Sequence, residues 1–374
     1  MDRALQERLL GRPVTDVLTA ADVRAFRGRR VLVTGGGGSI GSELALQMAN
    51  AGVARLAVMD HSEYALFRVE TELRQACPDV PVVPWLGDVT RGGDVRDAFN
   101  AAEPEVVYHA AAYKHVTYAE RAAVQALRVN ALGALEVARA ARAAGARFVL
   151  ISSDKAAQPC SVMGATKRFA ERLVLAEAGG SYRPLVVRFG NVLGSSGSVA
   201  EILLRRAQAG LPLPVTDPDA TRYFMTAGEA VSLVLKADLI GRQSGIFWLD
   251  MGAPIRIGDL AGRILAHVQA MGLAPVEIAI IGLRPGEKRH EELTSQGAAL
   301  VATDHPRILS ARQPGVDAAL VRAGLRGARR ACAAGDPAAA LAVLRQHVED
   351  YVPSGTAVDR AAQGAGGRAQ VRAA

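Results

Sequence analysis

The 374-residue chain has only three cysteines, Cys77, Cys160 and Cys332, too few and too scattered for a disulfide scaffold or a four-ligand zinc site. No CxxC pair occurs, so a reducing cytoplasm is the expected compartment and no metal is expected. Aromatic residues make up 5% of the chain, and no basic run is interleaved with stacking aromatics, which argues against nucleic acid as a partner. No apolar run approaches the ~20 residues that span a bilayer. The charged start, MDRALQERLLGRP, lacks the apolar core of a signal peptide. A soluble protein that is not secreted is therefore expected. What is present is a globular composition, 50% hydrophobic and 22% charged, which excludes wholesale disorder. The formal net charge of +7 lies partly at the C-terminal end, around Arg326, Arg329 and Arg330 and in the tail that holds Arg360, Arg368 and Arg372. It points only weakly, to some anionic ligand or surface.

Short apolar runs alternate with helical periodicity through the first half. RVLVT (30–34), RLAVMD (55–60), VPVVPWLGD (80–88), VVYHAAA (106–112), RFVLISS (147–153) and PLVVRFG (184–190) read as strands. The segments between them carry apolar residues at helical spacing. This alternation predicts βαβ units: an α/β fold, a Rossmann-like doubly wound parallel sheet. The expected organisation is a lead-in over 1–29, with a short helix N-capped by Thr19, then the dinucleotide-binding unit over 30–190. A smaller and more irregular substrate lobe over 191–353 follows, partly interleaved with the first and including GIFWLD (245–250). A last amphipathic helix is expected over 336–352, and a disordered tail over 354–374.

The first chemical motif follows the first strand. Gly35, Gly38 and Gly41 form GxxGxxG at the opening of a helix. Gly35 permits a tight turn, Gly38 lets backbone approach a pyrophosphate, and Gly41 lets helix pack close on strand, with the helix N-terminus facing the anion. Asp60 ends the second strand about 20 residues further on, where a carboxylate accepts hydrogen bonds from a ribose 2′-hydroxyl. Asp88, after the third strand, is a candidate for the adenine amino group. A carboxylate at Asp60 favours NAD over NADP, although His61 and Ser62 beside it leave room for a phosphate.

The second motif is Ser152-Ser153-Asp154-Lys155 at a strand end, followed by Met163-Gly164-Ala165-Thr166-Lys167. Taken alone, a charged dipeptide after a strand is an exposed ion pair. In this context the sequence resembles the extended short-chain dehydrogenase/reductases, in which a Tyr-x-x-x-Lys pair meets the nicotinamide. Lys167 fits the lysine. Met163 stands where the tyrosine belongs, and a thioether cannot take a proton. SSDKAAQPCSVMGATK, TGGGGSIGSEL, AAYKHV (111–116), RFGNVLGSSGSV (188–199), VTDPDATRYFMT (215–226) and GLRPGEK (282–288) together resemble the UDP-N-acetylglucosamine 4,6-dehydratases of bacterial polysaccharide biosynthesis. The usually longer, membrane-attached members of that group also carry Met at this place.

The resemblance implies bound NAD, a UDP-sugar substrate and a homo-oligomer. It makes Asp154 the acid at the C6 hydroxyl and Lys155 the base at C5, with Ser153 on the C4 oxygen. Lys155 must then be partly neutral, and desolvation with the nearby cation Lys167 is expected to lower its pKa. Further cofactor contacts are expected at Ser39, Ile40, Val89, Ala110, Ala111 and Ala112, and at Lys114, Asn130 and Lys167. Arg222 and Arg284 are expected to grip the diphosphate, because planar guanidinium groups suit it. Pro285-Gly286 suits a type II turn that aims Arg284. Asn191, Ser198, Val199 and Glu287 complete the expected substrate contacts. The competing possibilities are a C5-inverting or other nucleotide-sugar dehydratase, a 4-epimerase, and a non-catalytic dinucleotide sensor.

Overall fold

In the computed structural model of the chain, residues 1–292, 300–311, 318–349, 351–354 and 357 are described. Apart from Ser354 and Ala357, the tail expected over 354–374 lies outside them.

All six predicted strand runs lie in one nine-stranded sheet. Its strands are β1 (Arg30–Thr34), β2 (Arg55–Asp60), β3 (Val82–Leu86), β4 (Val106–His109), β5 (Arg147–Ile151), β6 (Leu185–Arg188), β7 (Gly245–Leu249), β8 (Leu300–Ala302) and β9 (Ile308–Ala311). The spatial order is β8-β9-β7-β6-β5-β4-β1-β2-β3. β3 through β7 in that row are parallel, and β9 and β8 add an antiparallel edge. The strand order reverses between β1 and β4. In open α/β sheets the crevice at the carboxyl ends of such strands is where ligands bind.

The central strands are apolar throughout because both faces are covered. Phe148, Val149 and Leu150 of β5 are all fully buried. One face packs on helices Gly92–Ala102, Ala134–Ala143 and Val162–Leu175, the other on Ser39–Asn50, Glu63–Ala76 and Ala227–Ile240. Each fully buried aliphatic side chain contributes roughly 1.5–3 kcal/mol.

A third core holds the smaller lobe. Helices Val199–Gln208 and Ile257–Ala270 pack together in it, and helix Arg3–Leu10 adds Leu5, Leu9 and Leu10 to the same core. The first residues are thus part of that lobe rather than a separate lead-in. Arg12 donates to Glu229 Oε1 at 2.7 Å, which ties this segment to the Thr226–Glu229 capping box of the next helix. Thr19 caps helix Ala20–Phe26 as the sequence predicts, reciprocally with Asp22.

One expectation about the small lobe needs correction. GIFWLD does not belong to the small lobe; as β7 it is the seventh parallel strand of the main sheet, because Ile246, Phe247, Trp248 and Leu249 are buried on both of its faces. Two helices after residue 190, Ala227–Ile240 and Ile257–Ala270, each run 14 residues. A helix over Ala318–Ala334, not anticipated, pairs with Pro337–His347 as a hairpin packed on the core beside Val124, Leu127 and Phe169.

Candidate active site

The glycine turn is shaped by contacts that leave no room for side chains. Gly35 has φ +67°, a left-handed conformation, and a Cβ there would lie 2.5 Å from the Ala111 backbone nitrogen. A Cβ on Gly41 would lie 2.1 Å from the Gly35 carbonyl oxygen. Gly38 is the N-cap of helix Ser39–Asn50 and supplies no side-chain cap, so the first N–H groups of that 12-residue helix are left for another acceptor. Gly35, Gly38, Ser39, Ile40 and Gly41 all line one cleft of about 930 Å³. An uncapped helix terminus on a glycine-floored cleft fits the pyrophosphate of a dinucleotide.

At the β5 end the chain makes a short 3₁₀ turn, Asp154–Ala156. Two glycines admit it. A Cβ on Gly164 would lie 2.3 Å from the Lys155 carbonyl oxygen, and one on Gly190 would lie 2.8 Å from Asp154 Oδ2. From below, Ser152 donates to Glu171 at 2.6 Å, and Arg188, which is fully buried, pairs with the same carboxylate and donates to the Ala156 carbonyl at 3.4 Å. The Arg188 guanidinium also stacks 4.7 Å from the Trp248 ring.

Within the turn, Asp154 Oδ1 accepts from Ser153 Oγ at 2.9 Å, from the Lys155 backbone N–H at 2.8 Å and from Lys155 Nζ at 3.1 Å. Asp154 Oδ2 is buried without a hydrogen-bond partner. Ser153 and Lys155 line the cleft; Asp154, 1% exposed, stands one layer behind them. This corrects the expectation of a carboxylate that itself faces the sugar.

Lys155 Nζ also donates to Asn191 Oδ1 at 3.1 Å and lies 3.5 Å from Glu291 Oε1. Burial works to lower the Lys155 pKa, but the Asp154 and Glu291 carboxylates outweigh it and hold the ammonium above its ordinary value. The expected lowering is therefore reversed, and the cation that opposes the carboxylates is Arg222 rather than Lys167.

Met163 and Lys167 project from helix Val162–Leu175 into the same cleft, with Met163 also packed in the core. Lys167 Nζ donates to the Ile151 carbonyl at 2.9 Å, and burial pushes its ammonium down to about 8 against the pull of Glu171.

Ala110, Ala112, Lys114, Asn191, Ser198, Val199, Arg222, Arg284 and Glu287 line the cleft as well. Gly286 has φ +79°, and the Glu287 N–H bonds the Arg284 carbonyl at 3.0 Å, the type II turn expected of Pro285-Gly286. Arg222 is less free than expected: its Nη atoms donate to the carbonyls of Thr221, Lys288 and Arg289, so it clamps the 284–291 loop.

Other expected contacts are set back from the cleft wall. Both Asp60 oxygens accept backbone N–H groups, from Gly37 and Ser62 at 2.9 Å, and hold the glycine turn. His61 is exposed beside it, Ser62 caps helix Glu63–Ala76, and Asp88 accepts from the Thr90 N–H. Val89 is core. Ala111 is the backbone that Gly35 passes over. Asn130 is buried in a π-helical turn, Arg128–Gly133. Its amide clamps the Tyr113 backbone in both directions and donates to Thr166, so it shapes the 110–115 loop instead of facing the cleft. Glu291 was missed by sequence reasoning; the available signal was its place in the same RPGEKRHEE run as Arg284. Among the described residues no cluster of three or more His, Cys, Asp or Glu side chains is placed to hold a metal ion. Nor is any helix among them long and apolar enough to cross a membrane.

Known proteins resemble this chain over most of its length. It is 41% identical over 305 residues to the probable polysaccharide biosynthesis protein EpsC of Bacillus subtilis, a match covering 81% of this chain and 51% of EpsC. The chain thus spans about half the length of that curated relative. The crystal structure of Pen from Bacillus thuringiensis superposes with a TM-score of 0.70 at 30% identity, over 77% of this chain and 89% of Pen. MoeE5, solved in complex with UDP-glucuronic acid and NAD, superposes with a TM-score of 0.56 at 25% identity, over 70% of this chain and 88% of MoeE5. The sequence model of the family described as "Polysaccharide biosynthesis protein" matches residues 31–313, the sheet and both ends of the cleft included, and the chain belongs to that family.

Proposed function

We propose that the protein is an NAD-dependent nucleotide-sugar 4,6-dehydratase that converts UDP-N-acetylglucosamine to its 4-keto-6-deoxy derivative, with C5 configuration retained, for polysaccharide or glycan biosynthesis. The observation that carries this reading is the convergence in one cleft of the glycine turn, the Ser153–Lys155 turn and the Arg222–Arg284 loop. MoeE5, a structural neighbour solved in complex with UDP-glucuronic acid and NAD, supports it.

Bound NAD supplies the oxidation at C4 and the matching reduction at C6. The chain's own residues handle protons. Ser153 faces the cleft with its hydroxyl already donated to Asp154, so the C4 hydroxyl proton has a path through Ser153 Oγ to the carboxylate. This replaces the missing tyrosine. The Asp154 carboxylate, which takes that proton at Oδ1, returns it by the same Ser153 hydroxyl to the departing C6 hydroxyl, because Ser153 rather than Asp154 lines the cleft. The 4-ketone acidifies C5–H, and the minor neutral form of Lys155, whose ammonium the two carboxylates favour, removes that proton and later returns it to C5. Overall the sugar loses one water and the cofactor is unchanged. Lys167 and Met163 border the nicotinamide end, Asp60 holds the turn that faces the adenosine, and Arg284 and Glu287 meet the nucleotide. A 4-epimerase has no use for the Asp154–Lys155 acid–base couple, and a dinucleotide sensor, which needs the glycine turn, has no use for Asp154, Lys155 and Lys167.

The test is a panel of UDP-, dTDP- and GDP-sugars incubated with the protein and scored by mass spectrometry. Loss of one water from UDP-N-acetylglucosamine without net NADH is expected. A panel in which every sugar is recovered intact, or only epimerised, ends the proposal.

A further inference from the structure

Glu291 is an acidic side chain in a cleft that, on the reading above, must take a diphosphate. Like charge at that place is unfavourable unless the carboxylate has work of its own. Its Oε1 lies 3.5 Å from Lys155 Nζ and 3.5 Å from Arg222 Nε, and its side chain is 6% exposed. This is not a solvent-screened surface pair. The loop that carries it presents Arg284 and Glu287 to the cleft at one end and Glu291 at the other, and Arg222 fixes its backbone at Lys288 and Arg289.

We propose that Glu291 is the positioning residue of the catalytic lysine: carried on the nucleotide-binding loop, it holds the Lys155 ammonium together with Asp154 and sets how readily that amine gives up its proton. The inference rests on the dehydratase reading. The groups facing Lys155 are Asp154 on its own turn, the neutral Asn191 amide beside strand β6, Arg222 from the small lobe and Glu291 from the loop. Of the two carboxylates, Glu291 is the one whose removal leaves the turn's own hydrogen bonds intact. With it in place the ammonium is favoured; without it the neutral amine is reached at lower pH.

The experiment compares wild type, Glu291→Gln and Glu291→Asp in two measurements. One is the pH profile of kcat for water loss, and the other is the affinity for UDP alone. In wild type kcat climbs with pH as Lys155 is neutralised. In Glu291→Gln that limb moves to lower pH by about one unit, the size expected when one opposite charge within ~4–6 Å is removed. UDP affinity stays within about twofold, and Glu291→Asp returns the limb toward wild type. A limb that does not move in Glu291→Gln overturns the inference. So does a loss of UDP affinity with the limb in place, which would make Glu291 a brace of the loop and nothing more. If wild type releases no water from any sugar, it is the dehydratase reading that fails, and the UDP measurement shows separately whether the loop still binds nucleotide.

Discussion

The two ends of the cleft are built in opposite ways. The glycine-turn end comes largely from one continuous βαβ stretch: Gly41 packs on the Gly35 carbonyl, the Asp60 carboxylate accepts the Gly37 N–H, and the Ala111 backbone from beyond β4 lies over Gly35. The sugar end is assembled from the β5 turn, the segment after β6, a two-residue strand at Arg222 and the 284–291 loop, held together by polar side chains. Largely local construction leaves the first end with few long-range contacts to get right, chiefly the 110–112 backbone over Gly35. Assembly from afar makes the second end depend on buried ion pairs and on glycines that let segments meet.

The largest effect is expected at the assembled end. Asp154→Asn leaves the turn's shape but removes the proton acceptor behind Ser153, and kcat should fall by about 10²–10⁴. NAD binding, followed by fluorescence or calorimetry, should not change. Near-wild-type turnover would remove Asp154 from the proton path, and lost NAD binding would erase the distinction between the two ends.

A pair of glycine substitutions cuts between the ends more finely. Gly41→Ala places a methyl 2.1 Å from the Gly35 carbonyl, and Gly164→Ala places one 2.3 Å from the Lys155 carbonyl. Overpacking of this kind costs roughly 1–3 kcal/mol, against the small gain alanine brings inside a helix. Gly41→Ala should weaken NAD binding and spare UDP binding, whereas Gly164→Ala should lower kcat and spare NAD. Equal damage to both ligands from either variant would mean that the ends are not independent.

The smallest effect concerns Lys167, which borders both ends. Its ammonium is pushed by burial to about 8, while an unfolded lysine titrates near 10.5. Below about 8 both states hold the proton. Between the two values the unfolded chain binds more protons than the folded one, so stability rises with pH across that window. The rise should be about 1 kcal/mol between pH 8 and pH 9. Denaturant midpoints of wild type and Lys167→Met at those two pH values check it; an identical pH response in the two proteins contradicts the assignment.

Much of this was legible before any coordinates. Six of the sheet strands, the glycine turn, the Thr19 cap and the Pro285-Gly286 turn follow from patterns a few residues long, and the structure has them all. The site was legible as a set of motifs, but not in its layering. Nothing in the string SSDK says that Asp154 lies behind Ser153 and Lys155. That order is set where the turn packs on glycines of two other segments, the Lys155 carbonyl on Gly164 and the Asp154 carboxylate on Gly190. Val89 and Asn130 look like cleft residues in a linear motif, yet one is core and the other a loop clamp.

The amino-acid sequence by itself determined the α/β alternation and the anion-ready helix terminus, because hydrophobic period and turn chemistry act over a single strand–turn–helix unit. Only the tertiary structure decided that the first helix joins the small lobe, that GIFWLD closes the parallel sheet, and that Glu291 meets Lys155 and Arg222. Those are meetings of segments far apart along the chain, and their geometry comes from how whole faces pack rather than from any residue's neighbours in sequence.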